Sequence, residues 1–130
     1  MPIVRIEDSR PRSRAERQAV IQCIFDGLKS VFGVSDEELQ ARYQVLDPDG
    51  FVPPGVGAVN YMQLEITVFA GRKAETKKKL YEVLAQNLSA LLGVAPESIL
   101  ILLVEHPMEN WGMRGGRLGS EIDFGYCVNV

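Results

Sequence analysis

The chain has 130 residues, of which 46% are hydrophobic and 24% charged, with a net charge of −3. This is the make-up of one globular domain with a single core, and it excludes a disordered tail, a collagen-like chain and a disulfide-framework miniprotein. The negative balance lacks the basic field of a nucleic-acid binder. The one basic run, Lys77, Lys78 and Lys79, reads as a solvated helix face. Cys23 and Cys127 lie far apart, no CxxC or Cys/His spacing is present, and a lone His106 cannot build a metal site. No metal is expected, and both thiols read as free in a reducing compartment. Met1 to Arg12 is polar and charged, and no apolar run reaches about 18 residues. A cytoplasmic protein without membrane contact is expected.

Shifted by 60, the chain overlays itself. Val20, Ile21, Ile24, Leu28, Val31 and Phe32 fall on Leu80, Tyr81, Leu84, Leu88, Leu91 and Leu92, and Gly33-Val34 falls on Gly93-Val94. Val4 and Ile6 fall on Leu64 and Ile66, and Arg12 falls on Arg72. Six apolar positions in one register followed by the same Gly-Val mark an internal repeat. The pseudo-repeats span 2–48 and 61–107 of one domain, 1–130, with a C-terminal extension at 108–130.

Ile3 to Glu7 reads as a short strand. Ser13 and Glu16 have capping-box spacing, so a helix should start there, and its apolar residues recur every three to four positions. Gly33 is placed to end it in the left-handed conformation. Tyr43 to Leu46 reads as the returning strand. Asp47 to Asn60, with three prolines and three glycines, is the connector between halves. Gln63 to Phe69 alternates as a strand, Ala74 to Leu92 is a second helix stopped by Gly93, and Ile99 to Val104 is the last long strand. Glu121 to Val130 is expected to add a small strand.

Two strand–helix–strand units with right-handed crossovers give an α/β (α+β) fold. It is a tandem βαβ pseudo-repeat forming a four-stranded mixed sheet with two helices on one face. In the last strand, Ile99, Ile101 and Leu103 point one way and Leu100, Leu102 and Val104 the other, so both faces read as buried. The helices cover one face. A second copy of the chain is expected to cover the other, with the C-terminal extension as the alternative.

Met1-Pro2 is a sequence whose initiator methionine is normally removed, which would leave Pro2 as a secondary-amine terminus at the start of a strand. Proline has no N–H to donate, which suits that place. An α-amino group titrates at roughly 7.7–8.0 when unperturbed, and burial or nearby cations lower that value. A fixed, partly buried amine near Arg72 is then a usable general base. Without excision, Pro2 is only a small second residue.

Pro2 at a strand start, the duplicated βαβ unit, Phe69-Ala-Gly-Arg72 before the second helix, and Glu75 and Lys77 within it together resemble the tautomerase superfamily. That superfamily includes 4-oxalocrotonate tautomerase, malonate semialdehyde decarboxylase and macrophage migration inhibitory factor. Arg42-Tyr-Gln44 and Asn110-Trp-Gly112 resemble its double-length, decarboxylase-like branch, and so does Trp111-Gly-Met-Arg-Gly115. The resemblance implies a homotrimer, no organic or metal cofactor, and Pro2 as the catalytic group in a pocket near a subunit boundary. The implied substrate is a small 2-oxo or enol carboxylate, whose proton moves between carbon and oxygen while cations hold the carboxylate.

Arg72, in the loop before a helix, suits the carboxylate, because guanidinium grips it with two parallel hydrogen bonds and the helix start favours an anion. Trp111 suits an apolar wall around Pro2 or an interface anchor. Tyr43 is a candidate proton donor to an enolate oxygen, or a packed strand residue. Arg114 is a second candidate cation, in a glycine-rich loop expected to be mobile. Arg12 reads as a surface residue, and His106 and Glu109 as solvated turn residues. Ala41 stands where the decarboxylase has an acid just before its Arg-Tyr-Gln; the decarboxylase also has a second arginine two residues beyond the first, whereas here the local pattern is Gly71-Arg72-Lys73, with Lys73 where the family often has serine. No carboxylate to orient water can be placed from the sequence. Proton transfer is therefore the expected activity. Decarboxylation or hydration in the same pocket and a non-catalytic oligomeric ligand-binding module are the alternatives.

Overall fold

The computed structural model describes residues 1–55 and 60–130; residues 56–59, inside the connector, lie outside the described residues. The first strand, β1, is Ile3–Asp8. The first helix, α1, is Arg14–Phe32. Its capping box forms as the spacing requires. Ser13 Oγ accepts from the Glu16 N–H at 3.1 Å, and the Ser13 N–H donates to Glu16 Oε1 at 2.9 Å. Gly33 ends α1 at φ 71°, and Gly93 ends the second helix, α2 (Ala74–Leu92), at φ 66°. Glycine takes this left-handed turn without steric penalty, and each cap N–H reaches back to a last-turn carbonyl.

The remaining long strands are β2 (Gln40–Val45), β3 (Met62–Phe69) and β4 (Ile99–His106). β2 starts before Tyr43 because its ladder to β1 opens at the Ile3–Gln40 pair, in a stretch too polar to read as a strand. β4 likewise runs on to His106, paired with Phe69. The sheet order is β2-β1-β3-β4. β1–β2 and β3–β4 are parallel, and β1–β3 is antiparallel. The expected mixed sheet with both helices on one face is therefore present. In the central pair, Ile3 stands opposite Thr67 and Asp8 opposite Met62, which relates the two halves by a local twofold.

Val4, Ile6, Leu64 and Ile66 point from the sheet into the helices, against Val20, Ile24, Leu28, Leu80, Leu84 and Leu88. Each is essentially inaccessible. Burying one such side chain contributes roughly 1.5–3 kcal/mol, so this layer is the main apolar driving force. The helices cross where Gly27 meets Leu84; a Cβ on Gly27 would lie 2.6 Å from Leu84 Cδ2. Among the described residues, no helix is long and apolar enough to cross a membrane.

The other sheet face is open in the single chain. Leu100 is 45% and Leu102 47% exposed, beside the Arg5–Glu65 ion pair at 3.2 Å. The expected double burial of β4 is thus not met within one chain, and the C-terminal extension does not supply it. Phe124, Tyr126 and Val128 of the extension pack around Met1 and Phe69 instead. Nor do residues 121–130 form the expected strand. Gly125 bends the backbone at φ 74°, and Tyr126 and Val128 turn into that apolar nest, so no ladder forms. A two-stranded hairpin forms earlier, β5 (Gly112–Met113) with β6 (Arg117–Leu118).

Asp8 is wholly buried at the end of β1. Its Oδ2 accepts from Arg12 Nε at 2.8 Å and from the Tyr43 hydroxyl, and its Oδ1 accepts from the Arg10 N–H at 3.2 Å. Burial, then the Asp8 charge, pushes the Tyr43 phenol above its ordinary range. Arg12 is consequently a buried ion-pair member, where a surface residue was expected. Removing one partner of a buried pair leaves the other charge uncompensated. Asp8→Ala should lower the unfolding free energy by about 3–5 kcal/mol, and adding Arg12→Leu should restore part of it, both read from urea unfolding at unchanged m-value.

Candidate active site

Continuing the β1–β3 register by two residues carries the chain's first residue to Phe69, and the two side chains do pack together. Pro2 is buried at the mouth of β1. The Met1 amine is buried as well. It donates to Glu38 Oε2 at 2.9 Å, with side-chain exposures of 8% and 9% for the pair. Glu38 Oε1 accepts from Arg114 Nη2 at 2.7 Å. The Met1 carbonyl accepts from the Tyr126 hydroxyl at 3.0 Å. The Met1 side chain lies in a nest that includes Phe69, Val128, Trp111, Met113 and Phe124.

Arg72 lies between β3 and α2 and is only 6% exposed. Its Nη1 donates to the Phe69 carbonyl at 3.0 Å, and its guanidinium stacks over Phe32 at 4.5 Å. Nε and Nη2 have no hydrogen-bond partner among the described residues. The Tyr126 phenol lies near enough to favour the cation electrostatically without meeting bonding geometry at either nitrogen. The C-terminal tail runs across this loop. Lys73 N–H donates to the Val130 carbonyl at 2.9 Å, and a Cβ on Gly71 (φ 136°) would meet Asn129 Oδ1 at 2.7 Å. Glycine at 71 is thus what lets the tail approach.

Burial lowers the Met1 amine below its ordinary value; Glu38 opposes this, and Arg114 and Arg72 add to it. Burial works against the Glu38 charge, but the amine and Arg114 outweigh it and hold the carboxyl low. Burial raises the Tyr126 phenol, so it stays protonated at neutral pH. Burial lowers Arg72, and a guanidinium remains charged regardless. The result is an amine of weakened proton affinity, a fixed carboxylate, a phenol donor and two guanidinium groups in one apolar surround.

Of the residues singled out from sequence, Pro2, Arg72, Trp111 and Arg114 come together here. Trp111 sits edge-on to Phe69 at 5.3 Å, and its other side borders an open cleft of about 570 Å³ with Arg5, Glu65, Thr67 and His106. That cleft flanks the amine's nest without including the amine, because Met1 fills the nest. Arg114 is held in the β5–β6 turn at φ 48°, paired with Glu38 and 5.3 Å from the Phe124 ring, where a mobile loop was expected. Tyr43 stands apart, bound to Asp8 at the far end of β1. Sequence reading missed Glu38 and Tyr126. Glu38 closes the run Asp36-Glu37-Glu38, which looks solvated. Tyr126 lies in the Phe124/Tyr126/Val128 alternation, which marked one apolar side of the tail without telling where it packs.

The family model described as tautomerase enzyme matches residues 41–114, more than half of the chain. The chain belongs to the tautomerase family. Solved structures agree in fold. FG41 malonate semialdehyde decarboxylase inhibited by 3-bromopropiolate is 22% identical, with 88% of this chain and 91% of that chain covered and a TM-score of 0.78. A fused 4-OT that is a symmetric trimer is 19% identical over 91% and 96%, with a TM-score of 0.82. N1, of the cis-3-chloroacrylic acid dehalogenase family, is 19% identical over 89% and 82%, with a TM-score of 0.77.

A buried guanidinium with two unanswered N–H groups is a stability liability, about 1–3 kcal/mol for each unsatisfied group. Arg72→Met keeps the apolar stem and removes the liability. Its thermal midpoint should equal or exceed that of the unsubstituted chain, as scanning calorimetry would read.

Proposed function

We propose that this tautomerase-family chain, once Met1 is excised, moves a proton between carbon and oxygen of a small 2-oxo or enol carboxylate, with Pro2 as the base. The observation that carries this reading is the buried amine at the head of β1, lowered in proton affinity by its surround. Excision makes Pro2 nitrogen the terminal amine in the same pocket. In ketonisation, neutral Pro2 nitrogen takes the enol hydroxyl proton, the carbonyl forms, and the resulting ammonium returns the proton to C3. No net proton is gained or lost. Arg72 offers Nε and Nη2 to the C1 carboxylate as a paired donor. Tyr126, which donates to an oxygen beside the amine in the Met1 form, is the candidate donor to the enolate oxygen. Trp111 and Phe69 keep water out. Arg114 balances Glu38 and adds positive charge to the pocket.

A second reading is favoured by Glu38. A carboxylate at the amine is what hydration or dehalogenation of an unsaturated acid needs to orient water. Halide release from a 3-haloacrylate is the readout that would give this reading precedence.

Ketonisation of phenylenolpyruvate, followed by absorbance, tests the first reading. Pro2→Ala and a chain that retains Met1 should both lose the activity; an unchanged rate in both would remove the mechanism. Arg72→Met should weaken carboxylate binding by roughly tenfold or more, as expected for a lost charged hydrogen bond. The base must be neutral to act, so kcat/KM should rise as pH climbs through a value below the ordinary α-amino range of about 8. Glu38 raises the amine, so Glu38→Gln should move that limb to still lower pH.

We further infer that a second and third copy of the chain cover the open β4 face, giving a homotrimer. The support is the pair of exposed leucines, Leu100 and Leu102, on an otherwise well-packed sheet. Leu102→Glu should convert the assembly to single chains, as read by sedimentation.

A further inference from the structure

We propose that the space Met1 occupies is where the substrate's tail binds, and that this tail is apolar, unbranched and about as long as a methionine side chain. The inference rests on the reading of Pro2 as base and goes beyond it, since that reading leaves everything past C3 of the substrate undefined.

Met1 is itself an occupant of the pocket. Its amine is held by Glu38, its carbonyl by Tyr126, and its side chain is buried in one apolar cluster with Phe69 and Val128, against which Trp111, Met113 and Phe124 pack. A carbon that exchanges a proton with Pro2 nitrogen must sit within about 3–3.5 Å of it. In the chain with Met1 present, that neighbourhood holds Met1 Cα and Cβ. Excision therefore frees the reaction position together with an apolar channel leading away from it. A substrate whose C3 takes the place of Met1 Cβ extends its remaining carbons where Cγ to Cε were.

The charges argue for a single carboxylate. Arg72 has two nitrogens, Nε and Nη2, without a partner among the described residues and suits the C1 end. Arg114 is already satisfied by Glu38 and lies over the Phe124 ring, so a second carboxylate at the tail's end would have to displace an existing ion pair. The nest residues that pack on Met1 gain instead from methylene groups, each worth about 0.8 kcal/mol when buried, which is about a fourfold gain in affinity.

The test uses the Met1-free protein. Straight-chain 2-oxo acids from pyruvate to 2-oxooctanoate are titrated against the fluorescence of Trp111, the only tryptophan and a wall of the nest. Affinity should rise about fourfold per methylene up to 2-oxohexanoate and flatten or fall beyond it. 2-Oxoadipate, of the same length with a terminal carboxylate, should bind more weakly than 2-oxohexanoate. Affinity independent of length, or tighter binding of 2-oxoadipate, would overturn the proposal. So would the same slope in protein that retains Met1, because the tail would then bind elsewhere. Hydrogen–deuterium exchange at C3 of each acid, followed by NMR, keeps the two ideas apart. A length dependence without Pro2-dependent exchange leaves the tail channel standing and removes the tautomerase reading. Exchange without length dependence does the reverse.

Discussion

A buried cation without an anion is the constraint around which this molecule is arranged. The local twofold places Arg12 and Arg72 at matching positions, each just before a helix and near the end of a central strand. In the first half, Asp8 and Tyr43 close on Arg12 and complete a largely buried ion pair. Sixty residues on, the positions of Asp8 and Tyr43 are Val68 and Leu103. Nothing acidic can therefore neutralise Arg72 from the equivalent place. Its compensation is partial: one carbonyl, the face of Phe32, the neighbouring Tyr126 phenol and the charge of Glu105, with which it makes no ion pair. A repeat that starts symmetric thus yields one satisfied arginine that supports the fold and one unsatisfied arginine with capacity left for an external anion. The loss of two polar side chains makes that difference.

The same asymmetry governs the start of β1. Pro2 and Met62 are repeat mates, and both begin central strands. Met62 follows Tyr61, so no charged nitrogen lies at its place, whereas the residue before Pro2 carries the buried amine. Burying an α-amino group is unfavourable unless it is paired, and Glu38 does the pairing. The pairing is itself tempered by Arg114 and Arg72, whose positive charge works against protonation of the amine. The net effect of burial and these opposed charges is an amine below its ordinary value.

The fold was legible because its signals are local and repeated. Ser13 and Glu16 fix one helix start, Gly33 and Gly93 fix both ends, and the apolar spacing at a shift of 60 orders the core. β2 was read only from Tyr43 because Gln40, Ala41 and Arg42 belong to the sheet by hydrogen-bond register and not by hydrophobic alternation. The site was legible in part. Pro2 and Arg72 stand at punctuation points of the repeat, so the overlay exposes them. Glu38 and Tyr126 take their meaning from contacts with residues 37 and 125 positions away, and no local pattern carries that information. The double burial expected of β4 failed for a related reason. An apolar run shows that a face is to be covered, but it does not say by which chain.

The C-terminal extension has no counterpart in the first half, and this is why one chain has one nest. Its hairpin fixes Arg114 on Glu38, and its last residues place Phe124, Tyr126 and Val128 around Met1 and tie Val130 to the start of α2. Residues separated by most of the sequence thus meet at the head of β1. The open β4 face lies elsewhere, and the cleft that reaches toward it touches the nest only through Ile3 and Trp111. Trp111 is therefore the aromatic ring shared by the nest and the cleft, and the side chains that close the nest on its other sides belong to the C-terminal extension and to Phe69.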